Sequence, residues 1–245
     1  MARRFIVNKE DIRYLPESNE YTIKGNEVKH IQVLRHDIGD NITINNEIYE
    51  ITKMKKDEII LKYIKEAPLK GIPKVNITLY MAFLKSDKMD FVVQKAVEIG
   101  VKKIVPFFSS NVIVKLEEKD RIKRRQKLQK IADEACKQCG RMDIVEVEEF
   151  ENFQELKNTI ENEEKVFFAY EASEDSLKRE INVTKENKYS NIGIIIGAEG
   201  GFTPKEANEL EKIENVSCVS LGKRILRAET AALNLLSILM YEMEE

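Results

Sequence analysis

The chain has 245 residues, 42% hydrophobic and 34% charged, with no tryptophan and a formal net charge of −3. That length holds one large domain or two modest ones, and no apolar stretch approaches the roughly 20 residues that span a bilayer. The mild acidity argues against nonspecific wrapping of nucleic acid. Three cysteines are too few for a disulfide framework, and the opening "MARRFIVNKEDIRYLP" lacks the apolar core of a secretory signal. A cytoplasmic setting is expected.

Over residues 1–70, short β-type runs alternate with turn signals: "RRFIV", "YTIKG", "NITINNEIYEITKM" and "DEIILKYIK". "INNE" at 44–47 reads as a hairpin turn, and a helical stretch, "NEVKHIQVLR", interrupts the strands. Strands this short and closely spaced predict a small β-barrel. In "EAPLKGIPK" (66–74) two prolines and a glycine disfavour any regular element and mark a boundary.

From residue 74 to 245 the rhythm changes. "VNITLYMAFLK" is an apolar strand, and the helix "KMDFVVQKAVEI" follows with Asp87 as its expected cap. Met89, Val92, Val93 and Ala96 fall on one face of it, and Gly100 ends it. "KKIVPFF" is the next strand, and a helix over about 118–139 presents Leu128, Ile131, Ala132, Ala135 and Cys139 as its buried stripe. "KVFFAY" and "NIGIIIG" continue the series. Strands apolar throughout, alternating with helices, predict an α/β domain: a parallel sheet with helices on both faces.

Charge is segregated. Residues 115–130 carry eight Lys/Arg against three Asp/Glu, whereas 146–164 is acidic. The helix face around Arg121, Lys123, Arg124 and Arg125 is either a solvated face or an RNA surface. "CKQC" (136–139) lies within a helical pattern without a second ligand pair, so neither metal nor redox chemistry is expected, and Cys139 is read as a core residue.

"IGIIIGAEGGFTPKEANEL" (192–210) joins an apolar strand to a helix start. Thr203 suits the N-cap, Pro204 the first helical position, and Glu206 completes a capping box. The spacing Gly197-x-x-Gly200-Gly201 is neither the dinucleotide fingerprint nor a P-loop. Taken alone, these glycines can simply make a tight turn. The next segment, "VSCVSLGKRILRAETAALNLLSILMYEM" (216–243), repeats the plan of strand, glycine and helix. Two such loops at the carboxyl ends of parallel strands line one crevice, the preferred ligand site of open α/β sheets. Thr230 suits a cap on the last helix.

"IGAEGGFT" followed by "VSLGKRILRAETAA" resembles the signature pair of the SPOUT methyltransferases, and more narrowly the RsmE-type family that methylates N3 of a uridine in 16S ribosomal RNA. "RRFIV", "HIQVLRHDIGD" (30–40), "KSDKMDFVVQKAVEIGVKKIVPFFSS" (85–110) and "ADEACKQCGR" (132–141) match family segments in order, so the resemblance spans nearly the whole chain. It implies a PUA-like RNA-binding β-barrel over 1–70 and a SPOUT domain over 74–245 with a C-terminal trefoil knot, a rare exception to unknotted connectivity. It also implies a homodimer acting on 16S rRNA within the small ribosomal subunit, with S-adenosylmethionine as methyl donor and S-adenosylhomocysteine as product. Alternatives are a SPOUT enzyme with another RNA target, or a catalytically silent RNA-binding homologue.

By the same resemblance, Gly197, Glu199, Gly200, Leu221, Gly222, Ile225, Leu226 and Ala231 form the donor's cradle. Arg227 is the candidate electrostatic clamp and Glu229 the candidate proton acceptor or positioning group. A structural pair is the alternative for these two. Arg3, Arg4, Arg35, Lys85 and Arg141 are candidate RNA contacts. Two positions depart from the family: Ala198 and Val145 stand where prolines are common, which puts loop stiffness in question.

Overall fold

The structure, a computed structural model, describes residues 4–68, 71–113, 116–173 and 175–244. The chain divides into two compact units, one comprising Met1–Ile72 with Cys136–Ile144, the other Pro73–Ala135 with Val145–Glu245.

The first unit holds β1 (Arg4–Phe5), β2 (Ile12–Leu15), β3 (Glu20–Ile23), α1 (Asn26–Val33), β4 (Asn41–Ile44), β5 (Glu47–Lys55) and β6 (Glu58–Glu66). Its strands form a barrel-like sheet in the order β1-β4-β5-β6-β3-β2, antiparallel except for β1 with β4. Asn45 and Asn46 turn the β4–β5 hairpin, Asn45 at φ 48°, a backbone region that asparagine tolerates better than most residues. Phe5, Ile23, Val28, Ile31, Ile42, Ile44, Tyr49, Ile51, Ile59 and Leu61 fill the interior.

The second unit contains β7 (Asn76–Ala82), α2 (Ser86–Ile99), β8 (Lys103–Phe108), α3 (Glu118–Cys139, whose last turn groups with the first unit), β9 (Glu146–Val147), β10 (Glu151–Asn152), α4 (Phe153–Ile160), β11 (Lys165–Ala169), α5 (Leu177–Glu186), β12 (Asn191–Ile196), α6 (Pro204–Glu211), β13 (Val216–Val219) and α7 (Ala228–Glu244). The sheet runs β10-β8-β7-β12-β11-β13, with β9 also on β8, and every pairing is parallel. β7 and β12 are buried along their whole length after the first residue, as strands covered on both faces must be.

Pro106 lies inside β8 without breaking the ladder. The Phe107 carbonyl accepts from Phe83 N–H on the β7 side and the Ile104 carbonyl from Glu148 N–H on the other. By alternation residue 106 faces the second side. There β9 stops at Val147 and β10 starts at Glu151, so no ladder partner needs the missing donor.

Helix ends follow the sequence in part. Gly100 caps α2 at φ 131°, a backbone conformation that favours glycine, and a Cβ there would meet the flexible end of the Met240 side chain. Asp87, however, is not the cap: Lys85 holds that position without a side-chain bond, and Asp87 sits in the first turn. Thr230 likewise lies inside α7, which begins at Ala228. In α3, Leu128, Ala132, Ala135 and Cys136 are buried, whereas Ile131 is half-buried and Cys139 is exposed. The stripe therefore ends on Cys136 rather than Cys139.

Candidate active site

The stretch from Gly197 to Glu206 is held by its own chemistry and by the loop after β8. Thr203 caps α6: its Oγ1 accepts from Glu206 N–H at 3.2 Å, and Glu206 Oε2 accepts from Thr203 N–H at 2.9 Å. The other Glu206 oxygen accepts from Ser110 N–H at 2.8 Å, and Asn111 Nδ2 donates to the Gly200 carbonyl at 2.8 Å. Burial works against the Glu206 charge, but these donors outweigh it and hold the carboxyl below its usual range. The Ala198 carbonyl accepts from Gly201 N–H at 2.9 Å, closing a tight turn without proline at 198.

Under this turn Phe202 packs between Phe107, stacked at 6.1 Å, and Phe168, edge-on at 4.9 Å. A Cβ on Gly197 would sit 2.9 Å from the Phe202 ring, so glycine is needed there for close approach. Gly222, in the companion loop after β13, has φ 105° with open space around it and is needed for backbone conformation instead.

These loops enclose a cavity of about 1090 Å³ at the carboxyl ends of the strands. Gly197, Glu199, Gly200, Leu221, Gly222, Ile225, Leu226 and Ala231 all line it, together with Arg227. The lining also includes Ala169, Tyr170, Glu171 and Ser173, because β11 lies between β12 and β13 and its loop opens into the same space. The crevice is thus made by three loops, not two. The sequence carries no sign of this, since strand order in a parallel sheet is not a local property.

Glu229 is not on the wall. Its side chain is mostly buried, and its Oε2 has no hydrogen-bond partner among the described residues. Lys88, in the first turn of α2, stands on the wall instead. Its Nζ lies 2.9 Å from Glu199 Oε1 and 4.0 Å from Glu229 Oε2. The bond to Glu199 holds the Lys88 pKa above its ordinary value, with Glu229 contributing. Burial disfavours the Glu199 charge, but Lys88 overcomes it and lowers that pKa. Lys88 was missed by sequence reasoning; the only hint was its place in the segment "KSDKMD".

The candidate RNA contacts separate. Arg35 and Lys85 are exposed, and Arg3 lies outside the described residues. Arg4 and Arg141 are buried, 8% and 3% exposed, and brace the first unit. Arg141 grips Asp143 with two bonds of 2.9 and 2.7 Å, and Arg4 donates to the carbonyls of Arg141 and Asp143 and, at 3.1 Å, to Asn46 Oδ1. Buried and engaged in this way, neither presents its guanidinium to a phosphate. On α3, Arg121 lies over the Phe108 ring at 4.7 Å, Arg124 pairs with Asp90 at 2.6 Å and Arg125 Nε donates to the Val147 carbonyl. Arg121 and Lys123 are exposed, while Arg124 and Arg125 are half-buried. Among the described residues no group of three or more His, Cys, Asp or Glu is placed to hold a metal ion, and no helix is long and apolar enough to cross a membrane.

The sequence model of the family described as "RNA methyltransferase domain" matches residues 72–240. The chain is 32% identical to the ribosomal RNA small subunit methyltransferase E of Bacillus subtilis, over 100% of this chain and 98% of that protein. It is 31% identical to the protein of the same name from Mesomycoplasma hyopneumoniae, over 96% and 97%. Its structure matches the Neisseria gonorrhoeae ribosomal RNA small subunit methyltransferase E bound to S-adenosyl methionine, with a TM-score of 0.82, 27% identity and 98% coverage of both chains. The likeness runs through both units and the cavity loops alike, and with the family match it shows that this chain belongs to the RNA methyltransferase family that includes these ribosomal RNA methyltransferases.

Proposed function

We propose that the chain methylates N3 of a specific uridine in 16S ribosomal RNA of the small subunit, using S-adenosylmethionine and releasing S-adenosylhomocysteine. The observation that carries this reading is the three-loop cavity. Its volume lies at the upper end of small-molecule pockets, and Gly197 and Gly200 bring main chain to its wall, where a Cβ would clash with Phe202 or press tightly on Asn111. The donor supplies an electrophilic methyl group: the N3–C bond forms, the C–S bond breaks with its electron pair passing to sulfur, and the N3 proton has already left to solvent.

The chain's own part is to bind, orient and neutralise. The cradle from 197 to 200 and 221 to 226, with Ala231, holds the adenosyl end by backbone groups. Arg227, exposed at the rim, clamps the acceptor electrostatically. Glu229, set behind Lys88, takes the positioning role rather than that of direct proton acceptor. Arg35 and Lys85 remain the candidate phosphate contacts, which give register while the displaced base is read in the pocket. The reading includes a PUA-like role for the first unit, a cytoplasmic setting and a homodimer. A knotted C-terminus is consistent with α7 packing against α2 and β12 after β13 has been laid outside β11.

Purified protein incubated with methyl-labelled donor and unmodified small ribosomal particles is expected to yield N3-methyluridine on digestion of the RNA. Another methylated nucleoside would favour a different RNA target. RNA binding without transfer would favour a silent homologue.

A further inference from the structure

We propose that Lys88 is a catalytic residue of this site: its ammonium stabilises the negative charge left on the uracil ring when N3 loses its proton. The proposal rests on the N3-uridine reading above and adds a group that the signature loops do not contain. Methylating N3 requires the base first to become an anion, with charge shared between N3 and the flanking carbonyl oxygens. A fixed cation in the pocket lowers the cost of that anion.

Lys88 meets the requirements on geometry. It is on the cavity wall, and its side chain is 31% exposed, enough to be reached from the cavity. It is fixed from two other elements: Glu199 in the loop after β12 at 2.9 Å, and Glu229 at the start of α7 at 4.0 Å. The charged groups acting on it are therefore these two carboxylates and Arg227, with Lys85 nearby acting on Glu199. Two carboxylates around one ammonium keep it protonated, so it serves as a cation and not as a base. Glu229 Oε2, buried without a hydrogen bond among the described residues, has this ammonium 4.0 Å away.

The test is the pH dependence of single-turnover methyl transfer by the full chain, comparing wild type with Lys88→Met and Lys88→Arg, with donor binding followed by calorimetry. An opposite charge within about 4–6 Å of a group moves its pKa by about 1–3 units, and Lys88 shares its charge with Glu199, which places the effect toward the lower end. Lys88→Met is therefore expected to slow transfer by about 10-fold at neutral pH, with its profile displaced to higher pH so that the rate recovers in alkali. Lys88→Arg is expected to keep the wild-type profile and to bind donor within about threefold of wild type, under 0.7 kcal/mol, whereas Lys88→Met leaves Glu199 of the donor cradle unpaired and is compared at saturating donor. A Lys88→Met profile superimposable on wild type, or a uniform loss at every pH that Lys88→Arg shares, overturns the proposal. A loss of donor affinity as large as the loss of rate would make Lys88 a donor-binding residue and overturns it as well. Failure of the parent reading shows separately: wild type itself would then make no N3-methyluridine.

Discussion

Arg227 and Gly197 show two ways in which a single residue builds this site. Gly197 acts by what it lacks, since any side chain would strike Phe202 beneath the loop. Arg227 acts by an exposed charge on the cavity rim. Arg227→Ala is expected to lower methyl transfer by at least about 10²-fold, the scale of losing one electrostatic stabiliser, while leaving the fold and donor affinity near wild type. Full activity in that variant would remove Arg227 from the reaction. The residues around the glycines were legible because they are contiguous in "IGAEGGFT" and "LGKRILRAET". Lys88 was not, because its meaning comes from Glu199, 111 positions away, and from Glu229. Arg4 and Arg141 show the reverse: in sequence they are cations available to RNA, and only the fold reveals that both are buried beside Asp143 and Asn46.

At the scale of elements, local grammar predicted several features set by neighbouring residues but misplaced the caps of α2 and α7 on Asp87 and Thr230. The Thr203–Pro204–Glu206 start of α6, the Asn45–Asn46 hairpin and the buried face of α2 each depend on residues a few positions apart. The very short β9 and β10, two residues each, and β2, whose pattern is mixed, carry too little periodicity to read. The α6 capping box does more than end a helix, because Glu206 also ties down Ser110 N–H. Thr203→Ala is expected to cost about 1–2 kcal/mol, lowering Tm by about 2–8 °C at this chain length. The folded pKa of Glu206 is depressed, so its stabilisation is present above the unfolded value of about 4.3 and fades as pH falls through the lower folded value. Thr203 Oγ1 also donates to Glu206 Oε2 at 2.9 Å, so the part of the gap between wild type and Thr203→Ala that comes from this bond should be present at pH 7 and shrink below about pH 4, where the acceptor carboxylate protonates. Denaturant melts across that range provide the check, and a gap independent of pH would show that Glu206 is not the partner that matters.

For the molecule as a whole, the change of rhythm near residue 70 pointed to two kinds of architecture, and the structure contains a mostly antiparallel barrel-like sheet and an all-parallel one. What the sequence did not convey is the grouping of Cys136–Ile144 with the first unit, since α3 is one uninterrupted helical pattern through Cys139. Nor did it convey the strand order that brings a third loop to the cavity. Both are long-range outcomes of packing, which composition and period do not encode. The central claim, one uridine of 16S rRNA methylated at N3 by this chain, is tested most directly by mass mapping of that RNA from cells lacking the protein and from the same cells supplied with wild type or Arg227→Ala. The account predicts that one N3-methyluridine disappears and that wild type alone restores it; an unchanged methylation map would contradict it.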